Sequence, residues 1–375
     1  MSSPDPLPQD ISPRAQAWAQ TMRGHGGEGL VRAHRNSSAQ VGAGPIIDRV
    51  RREEREAMIL RPGATRAQGA GDRVRPERPD DERTCFERDR DRIVHSTAFR
   101  RLAGKTQVVV YPNDHQRTRL THALEVAQVA CSVARGIGAN VGLTEAIALG
   151  HDCGHGPGGH ASEDAFDQYL PDGFDHGPWG ADVTLVELNL CRETLDGIRN
   201  HSWSRPAPAT IEGEIVSWAD RIAYCAHDLE DAVHAGIVDL AELPDEVAEV
   251  AGRTRREQLS TFIRAIIRTV ADHGEIGMDA EVAAALAALR AFNYERIYVR
   301  PDSLAQSRAV VDVLTALVDH YVAEPVGLPS TYREATDDLV HAAVSYVAGM
   351  TDRYAFSLAV QQLDWDTDRL PQGID

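Results

Sequence analysis

Apolar residues recur at intervals of three and four along most of the chain, whereas runs that alternate strictly between apolar and polar are scarce. The first spacing puts side chains on one face of an α-helix, and the second is the mark of a half-buried strand. The pattern therefore predicts an all-α fold. The predicted helices span residues 12–22, 46–60, a part of 83–110, 118–136, 144–149, 162–170, 183–195, 195–201, 211–236, 254–272, 280–299, 303–323 and 331–360, with a loop over 171–180.

The chain of 375 residues is long enough for one large domain or two smaller ones, and its hydrophobic content of 42% supports a sizeable core. Residues 1–80 mix proline, glycine, arginine and acidic residues, which predicts an N-terminal arm or linker that is partly helical or disordered. Residues 81–240 contain the candidate chemistry and are predicted to form a catalytic core. Residues 241–375 are predicted to form further helices that pack on that core.

Charge and cysteine usage narrow the classes of function. The formal net charge of −18 opposes a broad interface with nucleic acid or an anionic membrane, but it leaves room for a local basic pocket. The sequence contains no apolar run of membrane-spanning length, and its first residues lack the apolar core of an export signal. Five scattered cysteines without a Cys-x-x-Cys pair suit unpaired thiols in a reducing compartment. We therefore expect a cytoplasmic protein whose main partner is neither a membrane nor a nucleic acid.

The densest candidate chemistry lies in residues 150–163, which contain three histidines, two acidic residues and five glycines. His151 and Asp152 are adjacent at the predicted end of a helix, where glycine lets the backbone turn so that both side chains can face one ion. His160 and Glu163 are three residues apart at the start of the next helix, so the carboxylate can orient the imidazole for acid–base chemistry. A plain glycine-rich surface turn is the alternative for this stretch.

Two further helices offer residues that can complete a site. His122 lies on the apolar face of the helix predicted over 118–136, and Arg119 lies one turn before it. Asp220 belongs to a polar stripe along the helix predicted over 211–236, beside apolar neighbours. A buried carboxylate at that position requires a cation or several donors. The alternatives are a hydrogen-bonded core histidine and a polar stripe that faces water.

The order His … His-Asp … Asp predicts a site for one divalent cation, with the ligands His122, His151, Asp152 and Asp220. Imidazole nitrogens and carboxylate oxygens suit Mn²⁺ or Mg²⁺, which we favour, and Fe²⁺, Ni²⁺ or Zn²⁺ as alternatives. Four protein ligands leave about two positions of an octahedral ion for a water and a phosphate oxygen. This is the arrangement for metal-assisted hydrolysis of a phosphoester.

Two other candidate groups receive no catalytic role from the residues alone. Gly104-Lys105-Thr106 looks like the end of a phosphate-binding loop, but Phe99 stands where such a loop requires glycine, and no strand is predicted before it. Lys105 is expected either to meet phosphates or to be a solvated charge. His176, in the predicted loop over 171–180, is expected to be structural or exposed.

In these motifs the chain resembles the HD-domain phosphohydrolase superfamily and, within it, the deoxyguanosine triphosphate triphosphohydrolase family of dNTP triphosphohydrolases. The resemblance runs from about residue 83 to residue 236, with fainter similarity to about residue 354. The segments that carry it are residues 99–108, 118–122, 151–163, 218–224, 228–231, 292–298 and 349–353. The run Arg-Leu-Ala-Gly-Lys-Thr-Gln-Val, together with all four predicted metal ligands in order, is its most specific feature.

The resemblance implies an HD-domain helical architecture with additional C-terminal helices. It implies hydrolysis of a dNTP, dGTP above all, to a deoxynucleoside and inorganic triphosphate, in a homo-oligomer regulated by an activating dNTP. The site residues that it implies are His122, His151, Asp152 and Asp220 for the metal; His160, Glu163 and His155 for catalysis; and Arg119, Gln107, Val108, Tyr224 and Asp228 for the substrate.

Each implied substrate contact has a place on the nucleotide. Arg119 is expected to meet the triphosphate, and His155 to lie near the phosphates. Gln107 and Val108 are expected at the sugar and base. The resemblance further implies that Tyr224 packs under the deoxyribose and excludes a 2′-hydroxyl. Asp228, one turn further along the same helix, is expected to contact the 3′-hydroxyl.

The chain departs from the family pattern in two places. Where relatives usually have Pro-Pro-Phe-Gly-His, this chain has Gly-Pro-Gly-Gly-His at 156–160, so a looser loop wall is expected at Gly158. After His176, the residues Gly-Pro-Trp at 177–179 replace the expected Asn and Gln, which leaves the base preference and any regulatory site open. The alternatives to a dNTP triphosphohydrolase are an HD hydrolase of another nucleotide, and a metal- or nucleic-acid-binding HD module without turnover.

Overall fold

The computed structural model of the chain describes residues 11–22, 24–27, 29–108 and 116–372. Backbone contacts group the chain into two compact units, residues 1–46 and residues 47–375. The smaller unit contains helix α1 (Pro13–Thr21) and an antiparallel hairpin of strands β1 (His25–Gly27) and β2 (Leu30–Arg32). The hairpin is short, and the apolar pattern of the sequence did not predict it.

The larger unit is built from helices. They are α2 (Arg49–Ile59), α3 (Cys85–His95), α4 (Thr97–Arg101), α5 (Arg119–Ile137), α6 (Val141–Gly150), α7 (His160–Asp167), α8 (His176–Trp179), α9 (Arg192–Arg199), α10 (Ile211–His234), α11 (Asp245–Val250), α12 (Arg255–His273), α13 (Ala280–Asn293), α14 (Pro301–Ala323), α15 (Ser330–Arg333), α16 (Leu339–Ala348) and α17 (Asp352–Leu363). Within the described part of the chain the hairpin contains the only strands, so the predicted all-α fold is confirmed. None of the helices described is both long enough and apolar enough to cross a bilayer.

Three helices, α5, α6 and α10, form the centre of the larger core. Val126, Val129 and Val133 recur at helical spacing on α5 and are fully buried, as their pattern predicts. Gly138 ends α5 with a left-handed φ of 77°. Gly136 lies inside the last turn of α5. The capping glycine therefore sets the length of the helix that carries the first candidate residues.

Close packing between α6 and α9 fixes the end of α6. A Cβ atom added at Gly150 would lie 2.5 Å from Ile198 Cδ1, and one added at Gly197 would lie 2.4 Å from Ile147 Cδ1. Each helix thus presents a glycine to an isoleucine of the other, which lets the two backbones approach closely. The predicted His-Asp ligand pair follows Gly150 directly, so this contact determines where the pair starts.

A second apolar cluster joins α7 to the C-terminal helices. Helix α14 packs against α7, α16 and α17. The buried members of the cluster include Phe166 of α7, Leu314 and Tyr321 of α14, and Phe356 of α17. Because α7 begins at His160, the cluster connects the C-terminal helices to the segment that carries the predicted acid–base pair.

The segment before residue 80 makes buried polar contacts with the central helices. The Thr65 hydroxyl donates to Glu212 Oε2 of α10 at 2.8 Å, and the Asn140 side chain donates to the Thr65 carbonyl at 2.8 Å. Arg73 pairs with the fully buried Asp89 of α3 at 2.6 Å. The larger compact unit accordingly includes this segment. The division of the chain at residues 80 and 240 stays a prediction.

The single helix predicted over residues 331–360 is wrong, because the chain forms α15, α16 and α17 there. The Asp338 side chain caps α16 by accepting a hydrogen bond from the Val340 amide at 3.0 Å. Residues 349–351 separate α16 from α17. Short-range caps therefore interrupt an apolar pattern that is continuous in the sequence.

Two boundaries between α7 and α10 also differ from prediction. The predicted loop over 171–180 contains α8, and the helix predicted over 183–195 is mostly non-α-helical backbone before α9 begins. Residues 109 and 110 of the segment predicted within 83–110 lie outside the described residues, as do residues 1–10 of the predicted arm.

We expect Gly197→Ala to destabilise the protein by about 1–3 kcal/mol, because the new methyl group would overpack the contact with Ile147. Urea denaturation followed by circular dichroism measures the change. Gly142→Ala is the matched control: apart from adjacent residues and the helix's own backbone, the atom nearest its Cβ would be Asn140 Oδ1 at 3.3 Å, and alanine favours the helix. Equal stability of the two variants would contradict the packing argument.

Candidate active site

Three helices bring the four predicted metal ligands together. His122 lies near the start of α5 and Asp220 in the first half of α10, while the His-Asp pair follows the last residue of α6. The His122 Nε2 atom lies 3.0 Å from Asp220 Oδ1 and 4.0 Å from Asp152 Oδ2. The His151 Nε2 atom lies 3.7 Å from Asp220 Oδ1 and 3.5 Å from Asp152 Oδ1. Two imidazoles and two carboxylates thus converge on one small volume.

The hydrogen bonding of His151 fits a metal ligand. Its Nδ1–H donates to the Ala148 carbonyl at 2.7 Å, which leaves the lone pair on Nε2. That Nε2 atom is buried and has no hydrogen-bond partner among the described residues. Burial lowers the pKa of His151 and so favours the neutral imidazole that binds metal. Donor atoms of His122, His151 and Asp220 all lie within 4.8 Å of one another, so this His–Asp cluster fits a divalent cation.

Neighbouring groups favour the ionised form of both carboxylates, of which Asp152 is buried and Asp220 has a side chain that is 21% exposed. Burial opposes ionisation of Asp220, but the His122 hydrogen bond and the nearby His151 lower its pKa below the usual range. Burial likewise opposes ionisation of Asp152, yet Arg119 and His151 hold its pKa well below the usual range. The site therefore presents anionic oxygen ligands at neutral pH, as cation binding requires.

Arg119 connects the His–Asp cluster to the cavity that it lines. Its Nη1 donates to Asp152 Oδ2 at 2.8 Å, and the residue is only 1% exposed. Its Nε and Nη2 atoms are buried and find no acceptor in the part of the chain that the structure describes. Leaving buried donors unsatisfied costs free energy, so these two N–H groups indicate an anionic ligand such as a phosphate.

A second cluster lies along the glycine loop, residues 155–159, and at the start of α7. Glu163 accepts hydrogen bonds from His160 Nδ1 at 2.9 Å and from His176 Nδ1 at 2.6 Å. Burial opposes ionisation of Glu163, but these imidazoles lower its pKa below the usual range. His155 stacks on His176 with ring centroids 3.7 Å apart, and its Nε2 lies 3.2 Å from Asp152 Oδ1. The His160 side chain is 73% exposed and lines the cavity, so its second nitrogen is accessible to a ligand.

His176, predicted to be structural or exposed, is buried and belongs to this second cluster. His201 donates from Nδ1 to the Ile198 carbonyl at 2.8 Å, so its Nε2 accepts from His176 Nε2 at 3.1 Å. His176 thus donates from both nitrogens; burial opposes its protonation, but Glu163 raises its pKa. The sequence contained one signal for this role, since five of the 15 histidines fall between residues 151 and 201.

Another part of the site contains the residues predicted to meet the sugar. Tyr224 and Asp228 lie one turn apart on α10, and both line the cavity. Tyr298 Oη donates to Asp228 Oδ2 at 2.6 Å, and Arg290 Nε donates to Tyr224 Oη at 2.8 Å. Burial raises the pKa of Asp228 to about 7. Arg290 and Tyr298, which had no assigned role in the prediction, therefore hold both candidate sugar contacts from the C-terminal part of the chain.

One cavity of about 460 Å³ joins these groups, a size that suits a small-molecule ligand. Gln107 and Val108 also line it, and the buried Gln107 Oε1 has no hydrogen-bond partner within the described ranges. Arg221 stacks over Trp203, with Cζ 3.4 Å from the ring centroid, and adds positive charge to the wall. Residues of the wall from both clusters are Arg119, His122, Asp152, His155, His160, His176, His201 and Asp220.

The looser wall expected at Gly158 is not observed, because a neighbour fills the space. A Cβ atom added at Gly158 would lie 2.4 Å from Cγ1 of the fully buried Val310. One added at Gly159 would lie 2.6 Å from Arg119 Nη2. Both glycines have positive φ, 72° and 65°, a conformation that other residues rarely adopt. Glycine at these positions therefore allows α14 and Arg119 to approach the loop backbone.

Lys105 has a different environment from either that was predicted. It is buried and donates to the backbone carbonyls of His155 and Ala348, the latter at 3.0 Å. Lys105 is not among the described residues that line the cavity. Burial lowers its pKa to about 8. The expectations of a phosphate contact and of a solvated charge are therefore both wrong.

Two family models match separate parts of the chain. The HD domain matches residues 119–225, a range that contains all four predicted metal ligands. The phosphohydrolase-associated domain matches residues 276–361. This range contains Arg290, which binds Tyr224, and Tyr298, which binds Asp228.

Similar proteins cover most of the chain. A deoxyguanosinetriphosphate triphosphohydrolase-like protein of Caldanaerobacter subterraneus subsp. tengcongensis is 39% identical over 81% of this chain and 92% of its own. A protein of the same description from Clostridium perfringens (strain 13 / Type A) is 40% identical over 75% of this chain and 87% of its own. The crystal structure of a hypothetical protein from Aquifex aeolicus matches with a TM-score of 0.47 and 16% identity, over 75% of this chain and 69% of that chain. On the evidence of the sequence relatives, the chain belongs to the deoxyguanosinetriphosphate triphosphohydrolase-like family of HD-domain phosphohydrolases.

Proposed function

We propose that the protein is a metal-dependent dNTP triphosphohydrolase, which hydrolyses deoxynucleoside triphosphates, dGTP above all, to deoxynucleoside and inorganic triphosphate. One observation carries the proposal: a single cavity adjoins the His–Asp cluster, Arg119 and the Tyr224–Asp228 pair. Two N–H groups of Arg119 have no hydrogen-bond acceptor among the described residues. A deoxynucleotide offers the matching groups in order, since a charged phosphate chain leads to a sugar hydroxyl and the flat face of a base. The descriptions of the relatives as deoxyguanosinetriphosphate triphosphohydrolase-like proteins support the same substrate class.

The proposed metal ligands are His122, His151, Asp152 and Asp220. Their nitrogen and carboxylate donors suit Mn²⁺ or Mg²⁺, with Fe²⁺, Ni²⁺ and Zn²⁺ as alternatives. When bound, such an ion polarises a phosphate oxygen and lowers the pKa of a coordinated water. His151 contributes a neutral nitrogen whose orientation is fixed by the Ala148 carbonyl. The Arg119 guanidinium, which donates to Asp152, balances part of the carboxylate charge.

Arg119 is the proposed phosphate ligand. Its Nη1 is held by Asp152, so the guanidinium is fixed and presents Nε and Nη2 to phosphate oxygens. Arg221 and Arg290 line the same cavity and add to its positive charge. Fixed donors of this kind replace the water around a phosphate chain without reorganising during the reaction.

His160 is the proposed acid–base group. Glu163 accepts its Nδ1–H, which leaves Nε2 for the substrate. In this tautomer Nε2 accepts a proton from the attacking water, and the imidazolium then protonates the 5′-oxygen as its bond to the α-phosphorus breaks. His176 binds the other oxygen of Glu163 and so prevents the carboxylate from turning away. His155 lies between this pair and Asp152, close to the place proposed for the phosphates.

Tyr224 and Asp228 are the proposed sugar contacts. The Tyr224 ring would pack against C2′ and leave no room for a 2′-hydroxyl, while the Asp228 carboxylate would accept a hydrogen bond from the 3′-hydroxyl. Tyr298 supports this role because it fixes the carboxylate at 2.6 Å. Gln107 and Val108 extend the same wall. The Gln107 side-chain oxygen can accept a hydrogen bond from the sugar or base, since no described residue donates to it.

The proposal extends to assembly and place. We propose a homo-oligomer that an activating dNTP regulates, as the family resemblance implies. The five cysteines of the chain are unpaired, which supports a location in the reducing cytoplasm. Residues 81–240 would form the HD catalytic core, and residues 241–375 would pack on it.

Product identification tests the proposed reaction. With Mn²⁺ or Mg²⁺ and each dNTP, singly and in pairs, ion-exchange chromatography should detect deoxynucleoside and intact triphosphate. EDTA should stop turnover and added Mn²⁺ restore it. Asp220→Ala should abolish turnover because a metal ligand is lost, whereas Asp272→Ala, at an exposed helical position, should not. Pyrophosphate or orthophosphate as the released product would refute the proposed reaction.

Tyr224 should control the choice of sugar. In Tyr224→Ala we expect the ratio of kcat/KM for dGTP to that for GTP to fall by about 10- to 100-fold, because the ring no longer excludes the 2′-hydroxyl. Tyr224→Phe keeps the ring and removes only the hydroxyl that Arg290 binds, so it should retain the wild-type ratio. Steady-state kinetics with both nucleotides measure the effect. An unchanged ratio in the alanine variant would show that the sugar does not pack on this ring.

Asp228 should make KM depend on pH. Because burial raises its pKa to about 7, the carboxyl is mostly protonated at lower pH and ionised at higher pH. The ionised form is the stronger acceptor for a 3′-hydroxyl, so KM for dGTP should rise as the pH falls through 7. Asp228→Asn should remove this dependence, and a 2′,3′-dideoxynucleotide should not show it with the wild-type protein. The same pH profile for both nucleotides would assign the titration to another group.

A further inference from the structure

Two motifs from distant parts of the chain meet behind the glycine loop. Asp352, the first residue of α17, accepts hydrogen bonds from the Thr106 amide at 2.9 Å and the Thr106 hydroxyl at 2.5 Å through Oδ2. Its Oδ1 accepts from the Gly158 amide at 2.9 Å. The carboxylate is buried and does not belong to the described cavity wall. All three bonds therefore restrain backbone and a neighbouring side chain rather than a ligand.

Lys105 holds the other end of the same loop. Its ammonium donates to the His155 carbonyl and, at 3.0 Å, to the Ala348 carbonyl at the end of α16. Lys105 and Asp352 are each only 4% exposed. A buried cation and a buried anion thus bind the backbone of residues 155–158 at its two ends, and both connect it to the C-terminal helices.

The restrained loop lies between the two clusters of the site. His155 is its first residue, and His160 follows its last residue, Gly159. The Gly159 backbone packs against Arg119, since a Cβ added there would lie 2.6 Å from Nη2. The Arg119 amide also donates to the Lys105 carbonyl at 3.3 Å. Glycine-rich backbone loses more conformational entropy than other backbone when it is ordered, so this loop needs external restraint to keep one conformation.

We propose that Asp352 and Lys105 are positioning residues, which hold the glycine loop so that His160 and Arg119 stay aligned with the metal ligands. The kinetic consequence rests on the proposed function, whereas the restraint of the loop does not. The C-terminal helices then complete the site through the loop, in addition to packing on its outer side.

Asp352→Asn is the sharpest variant, because it keeps the shape and removes one acceptor. An amide has one accepting oxygen and one donating NH₂ group. Whichever way the side-chain amide of Asp352→Asn is turned, its NH₂ group faces either the Gly158 N–H or the two Thr106 donors, so hydrogen bonds are lost. Asp364→Asn is the matched control: it makes the same chemical change at an exposed residue, whose left-handed φ of 50° asparagine tolerates. Lys105→Met removes the other restraint, and Thr106→Val removes a single bond.

Three measurements on the full-length protein separate positioning from general stability. Hydrogen–deuterium exchange in the peptide spanning residues 154–162 should accelerate by about 10-fold or more in Asp352→Asn and Lys105→Met, and less in Thr106→Val. The kcat for dGTP should fall by about 10- to 100-fold in the first two variants, the effect of a misplaced catalytic group. Mn²⁺ affinity by calorimetry should change little, because its proposed ligands lie on α5 and α10 and directly after α6, outside the restrained loop. The control should match the wild type throughout.

Unchanged exchange at residues 154–162 in Asp352→Asn would overturn the proposal. Faster exchange throughout the protein with an equal loss of Mn²⁺ affinity would also overturn it, since that pattern marks a purely structural role. If Asp352→Asn fails to fold, Thr106→Val decides by the same exchange criterion. A wild-type protein that hydrolyses no dNTP would refute the proposed function, and the exchange measurement would still decide whether Asp352 restrains the loop.

Discussion

A buried carboxylate, that of Asp152, needs compensation from several directions at once. Removing a charge from water is unfavourable unless cations or hydrogen-bond donors replace the solvent. Arg119 supplies one partner at 2.8 Å, and the His155 and His151 imidazoles lie at 3.2 Å and 3.5 Å. These groups come from α5, from the glycine loop and from the end of α6. The three segments must therefore keep a fixed arrangement, which the surrounding core has to maintain.

The structure maintains that arrangement by two different means. Helices α5, α6 and α10 are fixed by apolar packing, including the reciprocal glycine–isoleucine contacts between α6 and α9. The loop over residues 155–159 has little side chain to pack and is fixed by polar bonds to its backbone. The region that matches the phosphohydrolase-associated domain contains Asp352, as well as Arg290 and Tyr298 at the cavity. This second region is consequently part of the site.

Much of the helical framework could be predicted from the sequence, because helical spacing is a local property of the chain. Residues 118–136 and 211–236 were recognised as helices from their apolar faces, and the same spacing placed His122 and Asp220 on them. The β1–β2 hairpin and the breaks between α15, α16 and α17 were not recognised, because they depend on short caps and turns that leave the apolar pattern almost unchanged.

By itself, the sequence determined which helices form and which side chains with metal-binding or acid–base chemistry they carry. Only the tertiary structure decided which of these side chains share one cavity. His176 enters the site by stacking on His155, Val310 fills the space beside Gly158, and Lys105 is withdrawn from solvent. These outcomes depend on burial and on partners that are distant in the chain: Val310 and Gly158, like Lys105 and Ala348, meet only when the two apolar clusters have formed. Local periodicity contains no information about such pairs, because the packing of whole helices determines them.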